Sequence, residues 1–118
     1  MLELEIRNGQ YAGTTLTVSE SAYLGRAQDS DMFISDPQVS RKHARVFLFE
    51  GAYWVEDNKS QNGTFVNEIR VDKKRVLRNG DVIRIGNTQV EAHLSGETED
   101  PWRLKMEEEL TEVTPLPY

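Results

Sequence analysis

The chain has 118 residues, 37% of them hydrophobic, with no cysteine and a formal net charge of −6. That length suits a single domain able to bury a core without staples. Disulfides, thiolate metal sites and cysteine nucleophiles are excluded, and the acidic balance argues against nucleic-acid binding.

The opening "MLELEIRNGQ" sets charges among its apolar residues, unlike a signal peptide, and no run approaches the ~18 apolar residues of a membrane span. A soluble, cytoplasmic protein without membrane contact is expected. "LELEIR" (Leu2–Arg7) alternates apolar and charged residues, the period of a half-buried strand. "TTLTVS" (Thr14–Ser19) is rich in β-branched residues, and "AYLG" and "MFIS" (Met32–Ser35) read as short strands. "HARVFLFEGAYWVED" predicts a hairpin turning at Glu50-Gly51, "TFVN" a brief strand, and "DVIRIGNTQVEAHL" a second hairpin turning at Gly86-Asn87. Helical periodicity is missing before residue 100, so an all-β sandwich or barrel is expected.

From residue 97 the composition changes. Residues 97–118 hold two basic against seven acidic groups, −5, which leaves residues 1–96 near neutrality. The expected division is a sandwich over 1–96 and an acidic tail over 97–118. Asp100 and Pro101 could open a short helix there, with Trp102, Met106 and Leu110 on one stripe; a disordered appendage is the simpler expectation.

Three loops gather unusual residues: Gly25-Arg26, Ser40-Arg41-Lys42-His43 and Ser60-Gln61-Asn62-Gly63-Thr64. Arg26 offers a planar fork of donors suited to phosphate or carboxylate. Ser40 adds a hydroxyl, Arg41 or Lys42 a positive charge, and Asn62 an amide that can donate and accept along a peptide backbone. Each signal alone has a plainer reading: Asn-Gly as a hairpin turn, the basic run as a solvated face, His43 as a structural histidine. None forms a nucleophile–base pair, and His43 and His93 are too few for a typical zinc site, so neither an enzyme, a metal nor another cofactor is expected.

In order and spacing, "YLGR" (23–26), "VSRKHARV" (39–46), "SQNGTFVN" (60–67) and "LRNGDVIRIG" (77–86) closely resemble the signature segments of the forkhead-associated (FHA) domain. The resemblance spans roughly residues 2–94. It implies a sandwich of about eleven strands whose loops at one end bind phosphothreonine peptides. By that resemblance Arg26 and Ser40 would hold the phosphate, Arg41 would line the site and Asn62 would grip the peptide main chain; Lys42 and Gln61 are counted with them as phosphopeptide-binding candidates. Gly25, His43, Gly63 and Thr64 would shape and brace the loops. Gln61 departs from the family, whose members often carry Thr or Ser there. No basic residue immediately precedes Ser40, so no strong preference for an acidic residue three positions beyond the phosphothreonine is expected.

The function expected is therefore a phosphothreonine-dependent interaction module of kinase signalling. The alternative is a scaffold that binds partners without phosphorylation. Thr98, Thr111 and Thr114 are candidate phosphosites whose modification could draw the tail into its own domain or another protomer; the plainer reading is that they are solvated tail residues.

Overall fold

A computed structural model describes residues 1–95 of the chain. The expectations for the tail, its short helix and the candidate phosphosites Thr98, Thr111 and Thr114, lie outside the described residues.

Eleven strands form two sheets, as the all-β expectation required. In chain order they are β1 (Leu2–Ile6), β2 (Thr15–Val18), β3 (Ser21–Gly25), β4 (Met32–Phe33), β5 (Ala44–Phe49) and β6 (Ala52–Asp57). There follow β7 (Thr64–Val66), β8 (Ile69–Arg70), β9 (Lys74–Val76), β10 (Val82–Ile85) and β11 (Thr88–Leu94). The first sheet has the order β2-β1-β11-β10-β7-β8 and the second β4-β3-β5-β6-β9. Neighbours run antiparallel, except β3 and β4, which are parallel.

Alternation along the strands builds the core between the sheets. On β1, Leu2, Leu4 and Ile6 are buried and Glu3 is exposed. They meet Leu24, Val46 and Val55 from the second sheet and Ile83, Ile85, Val90 and Ala92 from the first. Each fully buried Leu or Ile contributes about 1.5–3 kcal/mol of apolar transfer energy.

Both predicted hairpins form: Phe49 lies opposite Ala52 around Glu50-Gly51, and Ile85 opposite Thr88 around Gly86-Asn87. Asn62-Gly63 does not turn a hairpin; it closes the connection from β6 in one sheet to β7 in the other. The strands β8 and β9 were not among those read from the residues.

Register fixes where the loops fall. Leu24 pairs with Ala44, Ala44 with Asp57, and Ile85 with both Thr64 and Thr88. The connections 26–31, 34–43, 58–63 and 86–87 therefore emerge at one end of the sandwich. A buried carboxylate, Asp36, ties that end across the sheets: its Oδ2 accepts the Asn87 N–H and the Thr88 hydroxyl, both at 2.9 Å.

Candidate functional site

Gly25 ends β3 where no side chain fits. A Cβ there would stand 2.0 Å from the Arg41 carbonyl oxygen. This contact lets the 40–43 segment lie against β3. The Arg26 N–H donates to Ser40 O (3.0 Å), the Ala27 N–H to Arg41 O (3.0 Å) and the His43 N–H to Leu24 O (2.8 Å). Arg26 is exposed, and its Nε donates to Val39 O at 2.9 Å. The inner nitrogen thus aims the guanidinium, while its two terminal amino groups have no partner among the described residues.

His43, 0% exposed, joins two loops. Its Nδ1 lies 3.0 Å from the Ser40 backbone nitrogen and its Nε2 2.7 Å from Gly63 O. A backbone N–H can only donate, so Nδ1 accepts and Nε2 carries the proton given to Gly63. The Ser40 hydroxyl oxygen accepts the Gln61 N–H at 3.1 Å, which leaves its own O–H to donate outward. Asn62 Nδ2 donates to Gln38 O at 2.7 Å, and the amide oxygen is left free among the described residues. Arg26, Ser40, Gln61 and Asn62 thus stand on one rim, joined by bonds between loops rather than along the chain.

Beneath the rim lies Asp57. It accepts the Ser60 N–H (3.0 Å), the Ser60 hydroxyl and the Thr64 hydroxyl (2.7 Å), and Ser60 Oγ in turn accepts the Gly63 N–H at 2.9 Å. Burial pushes the Asp57 carboxyl up, but these donors outweigh it and hold the carboxyl below its ordinary value. Asp36 behaves alike: burial raises it, and the N–H groups of Gln38 and Asn87 and the Thr88 hydroxyl more than reverse this. Neither aspartate was singled out in the sequence. The signal for Asp57 was its place three residues before Ser60, a spacing at which a cap carboxylate accepts a backbone N–H.

The remaining candidates divide. Arg41 is exposed; its carbonyl accepts the Ala27 N–H and the Ser30 hydroxyl, and its guanidinium has no partner among the described residues. Lys42 turns aside, with Nζ 3.3 Å from Asp29 Oδ1 and 5.4 Å from the Tyr23 ring centre. Gln61 engages the site through its backbone. Thr64 is wholly buried and Gly63 has φ +89°, both in supporting places. His93 lies away from the rim on β11, its Nε2 3.2 Å from Glu5 Oε1.

The fold is thus a two-sheet sandwich that carries donor-bearing loops at one end. The family model of the FHA domain matches residues 22–86, and the chain belongs to that family. It is 42% identical over 84 residues to the glycogen accumulation regulator GarA of Mycolicibacterium smegmatis, which covers 70% of this chain and 52% of GarA. The chain thus spans about half the length of that relative. A structure of phosphothreonine-dependent FHA domain interactions superposes with TM-score 0.73 at 32% identity, over 80% of this chain and 96% of the other. The crystal structure of the FhaA FHA domain complexed with the intracellular domain of Rv3910 gives TM-score 0.72 at 32% identity, over 79% and 100%.

Proposed function

We propose that the domain binds phosphothreonine-containing protein segments through the rim formed by Arg26, Ser40 and Asn62, and acts as an adaptor in kinase signalling in the cytoplasm. The observation that carries this reading is the aimed fork of Arg26, whose terminal amino groups have no partner among the described residues, on the same rim as the Ser40 O–H, which donates to none of them. A phosphoryl group brings about −1.5 to −2 charges and three acceptor oxygens. Arg26 would take two of those oxygens and Ser40 a third, through charge-assisted bonds roughly twice as strong as neutral ones. Asn62 already holds the Gln38 carbonyl with its NH₂, and its oxygen, without a partner among the described residues, would accept a peptide N–H beside the phosphothreonine. Arg41 would add charge at the edge, and the Gln61 backbone would keep Ser40 in place.

The role is one of recognition, with no chemical step. The unit responsible is the sandwich of residues 1–96, with the acidic tail 97–118 appended. Isothermal titration with one peptide as threonine, phosphoserine and phosphothreonine tests the reading. Binding of the phosphothreonine form, with at least tenfold loss on dephosphorylation, is expected. Equal binding of the unphosphorylated form would favour the scaffold alternative instead.

A further inference from the structure

A second guanidinium stands beside this rim, on the short edge strand β8. Arg70 pairs through its backbone with Phe65 and is exposed. Its side chain lies over Gly63: a Cβ at that glycine would be 3.2 Å from Cζ, 3.3 Å from Nε and 3.4 Å from Nη2. The missing side chain at Gly63 is what gives the guanidinium its seat, one residue from Asn62.

Among the described residues, Arg70 lacks the acidic partner that three other arginines have. Arg7 is bonded to Glu91, Arg45 to Glu56 and Arg84 to Glu68. Of the two acids closest to Arg70 in sequence, Glu68 is held from both oxygens by Arg84 Nε at 2.9 and 3.0 Å, and Asp72 makes no ion pair with Arg70. Arg84 also covers the Phe65 ring, 4.2 Å from its centre. Arg70 is left with no hydrogen bond or ion pair among the described residues. The exposed guanidinium stands against Gly63, at the Asn62 edge of the rim.

We infer that Arg70 forms an anionic subsite that takes an aspartate or glutamate side chain of the bound peptide, beside the phosphothreonine and on the Asn62 side. The inference rests on the proposed function. It adds a source of acidic selectivity that the neutral Gln38-Val39 pair, just before Ser40, does not supply. An exposed Arg–carboxylate pair is weak and screened by salt, so the gain is about two- to fivefold in affinity and shrinks as ionic strength rises.

The test is a phosphothreonine peptide with alanine flanks, into which aspartate is introduced one position at a time on both sides, titrated into wild type, Arg70→Gln and Arg70→Lys. Wild type should favour aspartate at one position or two adjacent ones. Arg70→Gln should bind the alanine-flanked peptide within about twofold of wild type yet lose that preference, and Arg70→Lys should keep part of it. A preference that survives Arg70→Gln, or that falls equally at every position, would overturn the subsite and leave the proposed function standing. No binding of the alanine-flanked phosphopeptide by folded wild type would overturn both.

Discussion

Arg26 and Lys42 are both loop cations, but they stand differently toward an incoming dianion. Lys42 already has Asp29 as counter-ion, whereas the outer nitrogens of Arg26 have no partner among the described residues. Arg26→Ala should therefore weaken phosphopeptide binding by about 2–5 kcal/mol, because a desolvated phosphate loses its main partner. Its unfolding midpoint should stay near wild type, since an exposed side chain with one bond to Val39 O is removed. Lys42→Gln should cost under about 1 kcal/mol of binding, the scale of an exposed ion pair. Titration of both variants with one peptide separates them. At this scale the sequence was informative about which residue types gather, and it named Arg26, Ser40, Asn62 and His43. It did not carry the direction of Lys42, which depends on Asp29 thirteen residues earlier, nor the place of Arg70, which depends on the pairing of β8 with β7.

Two small features lock the loops to one another. His43 bridges Ser40 and Gly63 from a fully buried position. His43→Ala would orphan the buried Gly63 C=O, at about 1–3 kcal/mol, and the half-buried Ser40 N–H, at less. Urea denaturation should register that loss, and binding should fall as well, although the imidazole touches no ligand. Gly25→Ala should act more locally. Its new Cβ would meet a backbone carbonyl, and backbone is less able than a side-chain end to move aside. The 40–43 segment must shift, with about 1–3 kcal/mol lost as in other overpacked sites. Amide spectra should show displaced signals from Ser40 to His43 with the far hairpin at Glu50-Gly51 unchanged. The long strands were legible because alternation over β1, β5, β6 and β11 repeats enough times to be seen. The strands β8 and β9 were not: the turn before β8 uses Asn67 and Glu68 at φ 51° and 67°, with no glycine to announce it, and β9 begins in the charged run 72–75, which shows no apolar alternation.

Across the whole molecule, the loop end depends on two ionised carboxylates, Asp36 and Asp57, whose folded values lie below the unfolded 3.8. The unfolded chain therefore binds protons more readily than the folded one. The stabilisation is complete above the unfolded value and is lost as pH falls through the folded values below it. Denaturation midpoints measured between pH 6 and pH 2.5 should fall at the acid end, and less steeply in a variant carrying Asp36→Asn and Asp57→Asn. Fold class was visible in the sequence because the apolar period is short throughout the body. The partition of strands between two sheets was not, since it is set by contacts distant along the chain, such as Ile6 with Val90 and the Asp36 tie to Asn87 and Thr88.

Phosphate-dependent recognition at the loop end is tested by chemical-shift mapping of the labelled protein with one peptide, first as threonine and then as phosphothreonine. Only the phosphorylated form should perturb amides, in a single patch covering 25–27, 38–43 and 60–64. Perturbations spread over the outer faces of the sheets, or the same with and without the phosphoryl group, would contradict it.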